Sequence, residues 1–129
     1  MWIKRNENKY GRNVDDCAIR AIVTATGKCW DRIYWEMAIA GNDIADVMNA
    51  DKAWHKVLKN NGFRRRFLPE HCADCYTVRD FCMEHPHGVY VVAVEDHVIA
   101  CKDGNYIDTF DSGGESPLYY FCKEDIANV

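Results

Sequence analysis

The segment that decides the fold is residues 13–26, which read NVDDCAIRAIVTAT. Its first residues are mostly polar and turn-favouring, and from Cys17 onward apolar residues fall on nearly every side of a helix. We therefore predict a central, buried helix over residues 16–26, ended by Gly27. Cys17 lies at the start of this helix, where unpaired N–H groups and the positive end of the helix dipole favour a thiolate.

The charges beside Cys17 act in opposite directions. Asp15 and Asp16 are good N-cap residues, but their carboxylates oppose formation of a neighbouring thiolate. Arg20 follows Asp16 by four residues and Cys17 by three, so it lies on a nearby part of the helix surface and can offset them. The sequence leaves the balance of these charges open.

The first half of the chain is predicted to be helical on both sides of this segment. A second helix is expected over residues 30–40, ended by Gly41, and a third helix is expected to begin at the cap Asn49 and to run to about Asn60. Thr77 is the predicted N-cap of a further helix over residues 78–84.

In the second half of the chain, the pattern of apolar residues becomes typical of strands. Predicted strands cover residues 63–68, 89–95, 97–102 and 105–110, with residues 119–122 as a last, edge strand. We therefore expect an α+β fold in one domain over residues 1–129, with a helical part at about 1–62 packed on an antiparallel sheet within about 63–129.

The turn Asp103-Gly104 fixes which acid lies beside His97. If these two residues form the centre of a hairpin turn, His97 lies opposite Phe110, and Asp108 is its diagonal neighbour on the same face, about 7 to 8 Å away. Asp111 would then point to the other face. A one-residue bulge would exchange the two acids, so the prediction of Asp108 over Asp111 depends on this register.

Cys17, His97 and Asp108 together have the chemistry of a thiol hydrolase. A carboxylate bonded to one imidazole nitrogen orients the ring and stabilises its charged form, while the other nitrogen takes the cysteine proton. Taken singly, His97 and Asp108 are also ordinary polar residues at strand ends. The order of the three residues along the chain and the hairpin register favour the catalytic interpretation.

Three segments of the chain resemble the papain-like cysteine peptidase fold. They are DCAIRA at residues 16–21, DHVIA at 96–100 and DGNYIDTFDS at 103–112, in the order of that family. The resemblance is strongest to small bacterial and phage members that are similar to the double-glycine leader peptidases of peptide exporters. It implies a papain-like fold whose central helix carries the nucleophile.

The resemblance also implies a role for each residue of the triad. Cys17 would be the nucleophile, His97 the general base and then the general acid, and Asp108 the orienting residue, in cleavage of a peptide or isopeptide bond through a thioester. The Cys17 backbone N–H would donate to the oxyanion. The glutamine that papain-like enzymes use as the second donor falls on Gly11, and the chain contains no glutamine. Asn13 is the nearest amide that could replace it.

Two other functions compete with hydrolysis. Residues 71–75 and the segment around 82–87 contain cysteines and histidines at spacings typical of a zinc site, with Cys72, Cys75, Cys82 and His85 as the candidate ligands. Against this, Cys82 falls inside a predicted apolar helix, where a cysteine usually packs as a small hydrophobe. The other alternative is a non-catalytic papain-like module that binds another protein in its groove.

Composition limits the partners and the compartment. The net charge of −4 gives no general reason to expect nucleic acid, and no apolar run reaches the roughly 20 residues of a membrane helix. Seven cysteines, an odd number, and a polar N-terminus without a signal-peptide pattern favour a reducing, cytoplasmic environment. We expect a peptide or protein substrate and no cofactor. The sequence does not indicate the oligomeric state.

Overall fold

The computed structural model describes residues 1–68 and 75–123. These residues form four helices and a six-stranded sheet, so the α+β prediction is confirmed. The helices are α1 (Cys17–Thr26), α2 (Trp30–Asp43), α3 (Asp51–Asn60) and α4 (Val78–Glu84). The strands are β1 (Trp2–Lys4), β2 (Phe63–Arg66), β3 (Val89–Val94), β4 (His97–Lys102), β5 (Asn105–Asp108) and β6 (Tyr119–Lys123).

The sheet is mixed, whereas the sequence predicted an antiparallel one. Its order is β1-β5-β4-β3-β6-β2, and β1 runs parallel to β5 while the other neighbours are antiparallel. The prediction that the last strand lies at an edge was wrong, because β6 pairs with β3 on one side and with β2 on the other. The N-terminal strand β1, which the sequence analysis missed, forms one edge.

Each face of the sheet buries a separate apolar cluster. In β4, Val98 and Ala100 belong to the cluster formed with α1, α2 and α3. Ile99 and Cys101 alternate with them and belong to the cluster formed with α4. The sheet therefore lies between a three-helix layer and the short helix α4, rather than under one helical layer.

The hairpin between β4 and β5 has the predicted register. Lys102 pairs with Asn105, and Cys101 pairs with Tyr106. Asp103 and Gly104 both have positive φ, 50° and 81°, as a two-residue type I′ turn requires. Because this turn adds no bulge, the face of the sheet to which each side chain points is fixed as predicted.

The glycines predicted to end α1 and α2 have different roles in the structure. Gly27 ends α1 as predicted, with φ of 76° and its N–H donating to the Val23 carbonyl. Gly41 does not end α2, which continues to Asp43. A Cβ at position 41 would lie 2.9 Å from the Cα of Met48, so this glycine allows the following loop to pack closely against the helix.

Side-chain capping agrees with the sequence at one helix and differs at another. Thr77 caps α4, and its hydroxyl accepts from the Asp80 N–H while the Asp80 carboxylate accepts from the Thr77 N–H. In contrast, α3 begins after Ala50, with no side-chain cap bond, so Asn49 is not the cap residue.

Candidate active site

Cys17 is the first residue of α1, as predicted, and it is half-buried. Its backbone N–H belongs to the first turn of the helix, where no intrahelical carbonyl is in reach to accept it. Its thiol lies where the Val98 backbone N–H and the side chain of His97 both stabilise a negative charge on sulfur. The start of α1 and the start of β4 therefore meet at the sulfur atom.

His97 contacts both of its expected partners. Its Nε2 lies 2.6 Å from Oδ2 of Asp108, and its ring interacts with the Cys17 thiol on its other side. With Nε2 bonded to the carboxylate, Nδ1 is the nitrogen left to exchange a proton with sulfur. Phe110 packs against the imidazole, with ring centroids 5.1 Å apart.

Asp108 is held by more groups than the sequence analysis named. Its side chain is almost fully buried and accepts hydrogen bonds from the Ser112 hydroxyl at 2.7 Å and from the Thr109 backbone N–H at 2.8 Å. Arg20 adds a longer contact of 3.3 Å. These donors favour the ionised carboxylate and fix its orientation toward the imidazole.

The electrostatics of the pair favour a thiolate and an imidazolium. Burial raises the pKa of Cys17, but the hydrogen bond and the charge of His97, together with the Val98 N–H and Arg20, outweigh it and lower this pKa below that of an ordinary thiol. Burial lowers the pKa of His97, but its bonds to Asp108 and Cys17 outweigh that effect and raise the value to about 9. Both shifts favour placing the proton on the ring rather than on sulfur.

The carboxylate of Asp16, the residue before Cys17, has its charge balanced by neighbouring groups. Asp16 is buried, and its two oxygens accept from Asn8 at 2.9 Å, from Trp30 at 3.0 Å and from Arg20 at 2.8 Å. Arg20 also contacts Asp108, so one guanidinium joins the N-terminus of α1 to the end of β5. The offset by Arg20 that the sequence suggested is therefore present.

Sequence reasoning missed Asn8, Trp30 and Ser112 as residues that support the site. Asn8 also accepts from the backbone N–H groups of Tyr10 and Arg12 through its Oδ1, so it holds the loop that leads to α1. Nothing in the sequence around these residues points to Asp16 or Asp108. Their roles depend on which segments meet in the fold.

An open cleft of about 1090 Å³ lies over Cys17 and His97. Its walls come from the start of α1, the turn between β3 and β4, and the side chains of α2 and α3 that face them. Aromatic and apolar side chains on these walls include Trp30, Tyr34, Phe110, Leu118 and Tyr119. This space is large enough for several residues of an extended peptide.

Two further candidate residues lie away from the triad. Asn13 is exposed and is not among the residues that line the cleft, so the structure does not bring its amide to the sulfur. Asp111 is exposed and accepts a 2.5 Å hydrogen bond from the Tyr106 hydroxyl instead of contacting His97. The hairpin register thus places Asp108, and not Asp111, beside the imidazole.

The candidate zinc ligands have other contacts where the structure describes them. Cys75 is disulfide-bonded, the Cys82 sulfur faces Cys101, and Nδ1 of His85 lies 2.8 Å from the Phe81 carbonyl. Cys72 lies outside the described residues. Among residues 1–68 and 75–123, no three histidine, cysteine or acidic side chains form a group able to hold a metal ion.

Comparisons of the chain with protein-family models, curated proteins and solved structures found no match. Within the described part of the chain, no helix is both long and apolar enough to cross a membrane.

The ionised pair predicts a distinctive pH dependence for alkylation of Cys17. Because the pKa of Cys17 is lowered, its reaction with iodoacetamide should rise and level off at a lower pH than the reaction of an ordinary thiol, whose pKa is about 8.5. A model cysteine peptide should react about tenfold more slowly for each pH unit below that value. Mass mapping of the alkylated residue against pH measures both, and parallel curves for Cys17 and the peptide would contradict the ion pair.

Proposed function

We propose that this protein is a cysteine-dependent amide hydrolase with a papain-like arrangement of Cys17, His97 and Asp108. The proposal is supported by the 2.6 Å bond between His97 and Asp108, by the interaction of the His97 ring with the Cys17 thiol, and by the cleft that Cys17 and His97 line together. Nucleophile, base and orienting acid are the three roles that thiol catalysis requires.

The chemistry follows from the positions of these groups. His97 holds the proton of Cys17, and the thiolate attacks the carbonyl carbon of a bound peptide or isopeptide bond. The C–N bond then breaks, the amine leaves with the proton from His97, and the acyl group remains on sulfur as a thioester. Water, deprotonated by His97, releases the acid and regenerates the thiol. An amine in place of water would give transamidation with the same residues.

Of the two oxyanion donors expected from the sequence, only one lies in the cleft. The Cys17 N–H at the start of α1 is one donor, and Asn13 lies outside the cleft. Losing one donor of this kind typically costs about 10²- to 10³-fold in rate. We therefore expect a slow hydrolase.

A second candidate function is that of a papain-like module that binds a protein or peptide in the cleft without cleaving it. The position of Asn13 outside the cleft favours this candidate, because Asn13 was the residue expected to replace the missing glutamine. This candidate uses the same aromatic walls and does not need the second oxyanion donor. The two candidates differ in whether Cys17 forms a covalent acyl intermediate.

Cleavage of a peptide library provides the test of hydrolysis. We expect the wild-type protein to produce new peptide ends, and Cys17→Ala to produce none, because the variant has no atom to carry the acyl group. Mass spectrometry of the products and of the acylated protein measures both. The exposed Cys29 offers a matched control, since Cys29→Ala should cleave at the wild-type rate. Binding of peptides by the wild-type protein without cleavage or acylation would favour the binding module.

A further inference from the structure

Two cysteines outside the cleft face each other in the core between α4 and β4. Cys82 and Cys101 are each 1% exposed, and their Sγ atoms are 2.9 Å apart. This separation is shorter than the roughly 3.5 to 4.0 Å of an ordinary contact between non-bonded carbon atoms. Both thiols are free, and neither is used by the proposed hydrolysis.

We propose that Cys82 and Cys101 are a redox-active dithiol that closes to a disulfide linking α4 to β4. A disulfide needs its sulfur atoms at about 2.05 Å, so closure requires them to approach by less than about 1 Å. One residue lies on a seven-residue helix and the other on a central strand, so a small shift of the short helix can supply this movement.

The contact also divides the pair into an attacking and a resolving thiol. The hydrogen bond with Cys101 lowers the pKa of Cys82, whereas the same bond together with burial raises the pKa of Cys101 well above the ordinary value. Cys82 also lies on the short helix that can open, whereas Cys101 lies on a central strand, so Cys82 is the sulfur that a peroxide reaches first.

The oxidant is a small hydroperoxide, for which hydrogen peroxide is the probe. The Cys82 thiolate attacks one peroxide oxygen, the O–O bond breaks, and Cys82 becomes a sulfenic acid with loss of hydroxide. Cys101 then attacks the Cys82 sulfur and displaces the hydroxyl group as water. In total, two thiols and one peroxide give one disulfide and two waters. A hydroperoxide of this size needs only a small local opening of α4 to enter.

The closed form has a structural consequence for the sheet. Cys101 and His97 lie on the same strand, β4, so the disulfide anchors the strand that carries the imidazole to α4. The amide hydrogens of residues 78–84 should then exchange more slowly with solvent, because α4 can no longer separate from the sheet without breaking the bond.

Peptide mapping of the peroxide-treated wild-type protein tests the proposal without any variant. We expect one peptide pair joined through Cys82 and Cys101, lost on treatment with a thiol reductant, and slower amide exchange in α4. The control Cys122→Ala, which removes a half-buried free cysteine on β6, should form the same link. Cys101→Ala should instead leave Cys82 as a sulfenic or sulfinic acid.

Three results would overturn the proposal. In the first, Cys82 and Cys101 both stay reduced in the folded protein. In the second, Cys82 is linked to some other cysteine, and in the third the link forms only in denaturant. Since Cys17 takes no part in the test, its result is independent of the hydrolase proposal.

Discussion

Replacing His97 by alanine should lower the rate of amide cleavage by about 10⁴-fold or more, the scale seen when a triad member is removed from other hydrolases. The variant loses the base that takes the thiol proton and the acid that protonates the leaving amine. It also loses the partner that does most to lower the pKa of Cys17, so this pKa should rise. Cleavage of the library peptides and selective alkylation of Cys17 should fall together.

His87 supplies a control for this prediction, because it is exposed and lies outside the cleft. His87→Ala should retain the wild-type rate. The His97→Ala variant should fold, since Asp108 keeps its bonds from Ser112, Thr109 and Arg20. Added imidazole should restore part of the rate by entering the space left by the ring. A variant without His97 that still cleaves at the wild-type rate would exclude this residue as the base.

Replacing Arg20 by alanine should lower the free energy of unfolding by about 3 to 5 kcal/mol. Arg20 is the cation that contacts both Asp16 and Asp108, two carboxylates that are 5% and 3% exposed. Without Arg20, both carboxylates remain buried. They are then stabilised only by neutral hydrogen-bond donors and, for Asp108, by the imidazole of His97. Urea unfolding near neutral pH measures the loss.

Arg32 is the matched control, because it also forms an i,i+4 pair, with Glu36, but its side chain is 63% exposed. Arg32→Ala should cost no more than about 1 kcal/mol. Adding Asp16→Asn to the Arg20→Ala variant should recover part of the lost stability, since an amide is cheaper to bury than a carboxylate. Equal losses for the two arginine variants would show that the Arg20 contacts contribute no more than surface ion pairs.

Catalysis should also respond to pH in a direction set by the two residues of the ion pair. Loss of a proton from Cys17 activates the site, and the lowered pKa of this thiol places that step below the ordinary thiol range. Loss of the proton from His97 removes the acid that the leaving amine needs, and it occurs at about pH 9. The rate of peptide cleavage should therefore rise with pH on the acid side, level off, and fall again above about pH 9. A rate that keeps rising beyond that point would show that His97 is not the acid.

The part of the site within the hairpin was predictable because its geometry is local. Asp103 and Gly104 specify a two-residue turn, the turn specifies the register, and the register selects Asp108 over Asp111. The position of Cys17 was predictable for a similar reason, because the change from polar to apolar residues marks the start of α1.

Features that depend on distant segments were predicted poorly. The three-residue strand β1 is too short to show an alternating pattern, and it is ordered by pairing with β5 at the other end of the chain. Gly41 resembles a helix end, but its lack of a side chain serves packing against Met48. The edge or interior position of β6 depends on where β2 pairs, which no local pattern records.

The sequence by itself determined the α+β class, the start of the Cys17 helix and the acid that lies beside His97, because each follows from residues close together in the chain. The tertiary structure alone decided that Cys17 reaches His97, that Arg20 joins Asp16 to Asp108, and that Asn13 lies outside the cleft. These contacts join segments up to 88 residues apart, as between Arg20 and Asp108. They form only when burial of the two apolar clusters brings α1 against the sheet, since no short-range preference of the chain encodes them.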